Sequence, residues 1–171
     1  RIARETLEIY APIAHRLGMN RIKAELQDMG FRAMYPLRHK VISKRIASQP
    51  VMRREAMATL EAKISQRLAQ EGLSFRLVSR VKAPWSIYQK MLLENKSFDQ
   101  VMDVFGFRLV VPKLMQCYLA LGAVHSIFKP LDARFRDFIA IPKANGYQSL
   151  HTVLFGTYGT PVEVQIRSEE M

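Results

Sequence analysis

Cysteine is almost missing from this sequence. Its 171 residues hold one, Cys117, which excludes an internal disulfide and any cysteine-based zinc site. Its neighbours Met115, Tyr118 and Leu119 predict a buried helix position and an inert thiol. Long apolar runs are missing too, and nothing approaches the ~20 residues that a membrane span requires. The chain opens at Arg1 without Met and shows no secretory leader, so it reads as a fragment of a longer cytoplasmic protein. Acidic residues are scarce, 15 against 26 Lys and Arg, for a net charge of +11. Such an excess attracts polyanions, whether nucleic acid, anionic membrane or phosphorylated small molecules. A solvated basic surface is the alternative, and position must decide between them.

Apolar content of 49% with 24% charged residues is that of an ordinary globular chain. The first seventy residues predict helices over 3–17, from Asn20 to Pro36, over 37–48 and over 52–70. Their apolar faces carry Leu7, Ile9, Ala11, Ile13, Ala14 and Leu17, then Ile22, Leu26, Met29 and Phe31, and lastly Met57, Leu60, Ile64 and Leu68. Gly18 and Gly72 are suited to end two of them. His15 and His39 stand alone and read as surface or packing residues. After Gly72 the period changes. Strands are expected over 75–82, 103–111, 133–141, 149–155 and 162–167, with helices over 84–95 and 113–128. The fold class is therefore α+β: a mixed sheet of about five strands flanked by helices, behind an all-helical lead-in. The boundary is expected at residue 72, with 1–71 helical and 72–171 forming the second domain.

Three stretches could carry chemistry. Arg80 and Lys82 share a strand face, and Ser86 and Lys90 lie four apart on the next helix, whose start Pro84 marks. Strand donors, a helix N-terminus and a lysine can cradle a polyphosphate; a charged solvated edge is the competing reading. Asp103 opens an apolar strand that continues to Arg108, and Glu163 shares a face with Gln165 and Arg167. Two acids brought together by a sheet can hold Mg²⁺ while one accepts a proton from a hydroxyl. Ion pairs with Arg108 and Arg167 are the structural alternative. Asp103 and Arg108 have opposite parity, so one site can use both only if Asp103 lies at the strand end or Gly106 forms a bulge. Last, Lys143, Asn145, Tyr147, Ser149 and His151 alternate through an Asn-Gly turn. They offer a cation for phosphate, polar groups for base edges and a ring to stack on a base.

Taken in order, these segments resemble the synthetase domain of RelA/SpoT-type (p)ppGpp enzymes. They are Arg80-x-Lys82 with Ser86-Ile-Tyr88-x-Lys90; Asp103-x-x-x-x-Arg108; Cys117-Tyr-x-x-Leu-Gly122-x-x-His125; Asp137-x-Ile-Ala-x-Pro-Lys143-x-Asn145-Gly-Tyr147-Gln-Ser149-x-His151; and Val162-Glu-Val-Gln-Ile-Arg167. The match covers roughly 72–171, and the lead-in resembles helices that join a preceding hydrolase domain to the synthetase.

The resemblance implies a nucleotidyltransferase-like sheet and transfer of the ATP β,γ-pyrophosphate to the 3′-hydroxyl of GDP or GTP. It assigns Asp103 and Glu163 to Mg²⁺, with Glu163 also activating the hydroxyl. Arg80 and Arg108 would stack on adenine; Lys82, Ser86 and Lys90 would take the ATP phosphates. Tyr147 would stack on guanine, with Lys143, Asn145, His151 and Gln165 completing the acceptor pocket. Arg134, Arg136 and Asp137 stand where bifunctional members carry an Arg-x-Lys-Asp specificity motif, with Arg136 in place of its lysine. The implied partners are ATP and GDP or GTP, with an upstream hydrolase and downstream regulatory domains in the same protein. No membrane and no direct nucleic-acid partner is expected. The chain departs from the family at Val78-Ser79-Arg80 and Lys82-Ala83, where relatives usually have Ser-Gly-Arg and Lys-His. The family's helix beyond the last strand and the hydrolase His-Asp motif are absent from these residues. A nucleotide-sensing module and a basic RNA-binding domain are the rival readings. Keeping both acids argues against the first, and the lack of aromatic ribonucleoprotein motifs argues against the second.

Overall fold

A computed structural model describes residues 1–49, 54–101, 103–144, 146–156 and 159–171. They form two compact units, one from Arg1–Ser48 with Lys82–Val101, the other from Gln49–Val81 with Met102–Met171.

The first unit is helical. Helix α1 (Ile2–Glu5), a π-helical stretch (Thr6–Tyr10) and α2 (Ala11–Arg16) run in series, followed by α3 (Asn20–Met34), α4 (Pro36–Ser48) and α6 (Pro84–Leu93). Pro36 opens α4 rather than merely ending α3, since proline at a first helical turn loses no needed donor. Gly18 has φ 72° and closes α2 as expected. The expected apolar stripe is only partly buried. Leu7, Ala11, Ala14 and Phe31 are in the core, whereas Ile9, Ile13, Leu17 and Met29 are exposed. Periodicity reports which residues share a face and does not report whether that face has a cover. Phe31, Ile42, Ile46 and Ile87 form the centre of this unit.

The second unit is a five-stranded mixed sheet with α5 (Arg54–Gln70) and α7 (Leu114–Ile127). Its strands are β1 (Arg76–Val81), β2 (Phe105–Val111), β3 (Arg136–Asp137), β4 (Leu150–Phe155) and β5 (Pro161–Ser168), in the order β1-β2-β5-β4-β3. Only β2 and β5 are parallel. The α+β expectation of a mixed five-stranded sheet with flanking helices therefore holds. Alternation gives β5 one side of Val162, Val164 and Ile166, all buried, and another of Glu163, Gln165 and Arg167. Phe107, Leu109, Val111 and Leu150 extend the apolar side, against which α7 packs. In α5 the buried stripe is Ala56, Leu60, Ile64 and Leu68; Ala56 takes the inward place expected of Met57, because the stripe steps by four.

Two strand expectations are corrected. Strand β2 begins at Phe105, and Asp103 lies in the turn before it. The strand expected over 133–141 shrinks to Arg136–Asp137, after a short 3₁₀ turn at Asp132–Arg134. The cause is Asp137, whose Oδ1 accepts the backbone N–H groups of Ile139 (2.9 Å) and Ala140 (2.8 Å). A side-chain acceptor two and three residues back turns the chain out of the ladder.

Candidate active site

The polar side of the sheet gathers many of the residues singled out above. Pairing register sets their neighbours: Arg80 faces Gly106, Gly106 faces Glu163, Arg108 faces Gln165, Gln165 faces His151, and His151 faces Arg136. All of these share one face. Arg80 and Arg108 sit diagonally on adjacent strands. The ladder runs through Gly106 without a bulge. The parity conflict is resolved the other way, by Asp103 lying ahead of the strand. Gly106 is demanded by the parallel pairing itself, because a Cβ there would meet the Glu163 carbonyl oxygen at 2.6 Å.

Glu163 is the best-supported side chain of this face. Gln165 Nε2 donates to its Oε2 at 2.9 Å, and His151 Nδ1 lies 3.1 Å from its Oε1. The expected alternative, an ion pair with Arg167, is not formed. Burial pushes the Glu163 carboxyl upward. The hydrogen bond and charge of His151 and the Gln165 amide outweigh that push and the repulsion from Asp103, so its pKa falls below the usual carboxylate value. The same repulsion places Asp103 within electrostatic reach of Glu163. One Asp103 oxygen, Oδ1, is shielded from solvent. No cluster of three or more His, Cys, Asp or Glu with metal-ligand geometry occurs among the described residues. Two carboxylates suit a hard cation such as Mg²⁺, which takes one or two of them and completes its shell with phosphate oxygens and water.

Tyr147 and His151 are tied to Glu163 by a line of hydrogen bonds. Tyr147 Oη lies 2.9 Å from His151 Nε2, whose other nitrogen meets Glu163. With a proton on Nδ1 the ring donates to Glu163, while its Nε2 meets the phenol as acceptor or donor. The Lys143 ammonium stands 5.2 Å from the Tyr147 ring centroid and 4.6 Å from that of Phe138. Gly146 N–H donates to Lys143 O at 2.8 Å and Lys143 N–H to Tyr147 O at 3.1 Å, which fixes the loop carrying them. Asn145 lies outside the described residues.

Other members of the expected set lie off this face or are taken up by local contacts. Ser149 is fully buried and donates to the Ile166 carbonyl, so it holds the sheet together and leaves the polar face. Asp137 is occupied by its own loop and by the Tyr118 hydroxyl at 3.0 Å. The Arg136 guanidinium donates to the carbonyls of Ala133 and Phe135, and Arg134 sits in the 3₁₀ turn. Lys82, Ser86 and Lys90 belong to the helical unit. Lys82 follows the end of β1, Ser86 occupies the first turn of α6, and Lys90 lies one turn on, 3.8 Å from Glu94. Helix α6 has no side-chain hydrogen bond at its N-cap, the end of a helix at which backbone amides have no partner within the helix itself.

One neighbour escaped the sequence reading. The Arg167 guanidinium lies 5.6 Å from the Tyr147 ring centroid. Its parity with Glu163 and Gln165 is the signal in the sequence, where an ion pair with an acid is the simpler use for it. Cys117 is buried, and desolvation pushes its thiol up to about 11, which agrees with an inert role.

Comparison with known proteins fits this architecture. Residues 79–171 match the family described as a region found in RelA / SpoT proteins. A guanosine-3′,5′-bis(diphosphate) 3′-pyrophosphohydrolase of Vibrio cholerae is 51% identical over all 171 residues, which cover 24% of its length. The bifunctional (p)ppGpp synthase/hydrolase SpoT of Escherichia coli is 49% identical over the same span, again 24% of that protein. A GTP pyrophosphokinase of Streptomyces coelicolor is 44% identical over 169 residues, 20% of its length. The chain thus spans about a quarter of the relatives it matches. Among solved structures, small alarmone synthetase 1 from Bacillus subtilis superposes with a TM-score of 0.58 at 25% identity, over 69% of this chain and 68% of that one. The same protein bound to its product pppGpp gives 0.58 at 22% identity, over 74% and 73%. The fold is the nucleotidyltransferase-like one expected, and the chain belongs to the RelA/SpoT family.

Proposed function

We propose that this chain makes (p)ppGpp, transferring pyrophosphate from ATP to the 3′-hydroxyl of GDP or GTP with Mg²⁺ present. The observation that carries the reading is Glu163: an ionised carboxylate on the sheet's polar face, held at one oxygen by His151 and at the other by Gln165, within electrostatic reach of Asp103.

The 3′-oxygen attacks the β-phosphorus of ATP. The new O–P bond forms as the bond from that phosphorus to the α,β-bridging oxygen breaks, and AMP leaves with the electron pair. Glu163 accepts the hydroxyl proton. Its depressed pKa makes it a weak base, so it first orients the hydroxyl and takes the proton only as the new bond develops. His151 and Gln165 keep the carboxylate from rotating away. Tyr147 offers a ring face for guanine and Lys143 a cation, with Asn145 completing the pocket. Arg80 and Arg108 flank adenine, while Lys82, Ser86 and Lys90 take the ATP phosphates. When bound, Mg²⁺ supplies positive charge against the roughly seven negative charges of the two nucleotides; Asp103 and Glu163 would hold it. Arg134, Arg136 and Asp137 tune acceptor preference.

Residues 1–71 serve as the helical linker from an upstream hydrolase and 72–171 as the synthetase domain, in a cytoplasmic protein with further regulatory regions. No helix among the described residues is long and apolar enough to cross a membrane. Incubating the chain with ATP, GDP and Mg²⁺ and resolving the nucleotides tests the reading. AMP and ppGpp should appear in equal amounts; AMP without a guanosine product would mean hydrolysis instead, and no turnover at all would reject synthesis by this chain.

A further inference from the structure

We propose that four aromatic side chains, Phe31 and Tyr35 at the end of α3 with Trp85 and Tyr88 on α6, position Ser86 and Lys90 for the ATP phosphates. The proposal rests on the assignment of those two residues to ATP.

Helix α6 has ten residues and no side-chain cap. A helix that short is marginal alone, so packing must fix both its existence and its direction. That packing is aromatic. Trp85 and Tyr88 are three apart and share one face. Phe31, with no exposed surface, lies 5.0 Å from Tyr88 in a stacked arrangement and 5.2 Å from Trp85. Tyr35 stacks near-parallel to Trp85 at 17° and 6.4 Å, and approaches Tyr88 at 5.3 Å. Behind them His39 meets the Phe31 ring edge-on at 5.4 Å, and Asp28 Oδ1 holds its Nε2 at 2.8 Å. Ile87, fully buried, pins the same turn of α6.

Ser86 lies between the two anchored rings in sequence, and Lys90 is one turn beyond Ser86. A rotation of α6 about its axis would move both at once. Rings resist such rotation better than aliphatic chains, because their contacts depend on orientation as well as area. Filling volume would require only apolar side chains. This cluster instead keeps four π-systems in mutual register, so α3 becomes a positioning element for a subsite to which it contributes no ligand.

The test compares Tyr35→Ala with Tyr35→Phe, using calorimetric binding of a non-hydrolysable ATP analogue and of GDP. Tyr35 is 37% exposed, so its truncation spares the centre of the unit. Tyr35→Ala should weaken analogue binding roughly 3- to 10-fold, the range that aromatic pair energies correspond to. GDP binding should not change, and Tyr35→Phe should behave as wild type. Trp85 is the chain's only tryptophan, so its emission gives a second readout: the ATP analogue should shift it in wild type and Tyr35→Phe, and less in Tyr35→Ala. If Ala impairs folding, Tyr35→Leu keeps apolar bulk without the ring and is read the same way. Unchanged analogue binding in the ring-less variant, or equal losses for both nucleotides, overturns the proposal. Lys90→Ala separates the two readings. If it too leaves analogue binding unchanged, the ATP assignment falls and this inference with it; if it weakens binding while the ring-less variant does not, only the inference falls.

Discussion

The two faces of the sheet come from the same strands under the same alternation, yet they are built for opposite ends. On one face Leu109, Val111, Val164 and Ile166 are fully buried, and any hydrophobic side chain of similar volume would serve nearly as well. On the other, Glu163, His151, Gln165 and Arg167 are half-buried and bound to one another or to Tyr147. There the chemistry of each group matters more than its volume. A strand can therefore carry a core and a reaction site in alternate residues, at the cost of placing an acid in the middle of a sheet. His151 and Gln165 offset that cost by satisfying both carboxylate oxygens.

Substitutions can break this contrast. The largest effect is expected on the polar face: Glu163→Gln and Asp103→Asn should each lower synthesis by about two to four orders of magnitude, as loss of proton transfer and charge stabilisation implies. Melting temperatures should stay close to wild type, and steady-state kinetics beside calorimetry will check both. Ile166→Ala inverts the pattern, with about 2–5 kcal/mol of stability lost by denaturant titration and activity kept in the molecules that remain folded. A large activity loss in folded Ile166→Ala would show that the two faces are not separable. Tyr147→Ala comes next. Loss of base stacking, worth about 1–3 kcal/mol, should weaken acceptor binding while ATP affinity holds, and titration with each nucleotide separately will show it.

The smallest effect belongs to His125. It lies on α7 and meets Thr152 Oγ1 at 2.8 Å on the buried side, and burial holds its pKa below the ordinary 6.5 despite the charge of Asp132. The unfolded chain then binds the proton more readily than the folded one. Stability from this group is complete above pH 6.5 and declines as pH falls toward the lower folded value. Thermal melts at pH 7.5 and 5.5 should differ less in His125→Gln than in wild type; an equal pH response in both would remove His125 from the account.

Legibility followed the same division. Alternation alone placed Val162 to Arg167 on their correct sides, and the bounds of β1, β4 and β5 came out within a residue or two. Short-range patterning was less reliable where a side chain competed with the backbone, as Asp137 does when it captures two amides and ends β3. It also misjudged Ser149, whose spacing matched the functional residues although its hydroxyl serves a buried carbonyl. Parity showed that Asp103 and Arg108 conflicted but could not say where the strand began. Nor could it reveal that Arg167 lies over Tyr147, because that contact joins a strand to a loop whose path no local rule specifies.

The strand order β1-β2-β5-β4-β3 has a consequence for synthesis of the chain itself. The last of the described strands in chain order, β5, is the central one. Until Pro161–Ser168 emerges, the sheet exists at most as two separate antiparallel ribbons, β1 with β2 and β3 with β4. Glu163 can join Gly106 and His151 only in the final closure, which pairs β5 in parallel with a strand made 57 residues earlier, as Phe105 opposite Val162 shows. Such long-range pairing is slow to form. A nascent chain therefore completes its helices and both ribbons well before it has a site, and stalling ahead of residue 161 leaves the inner edges of β2 and β4 open to association with other chains.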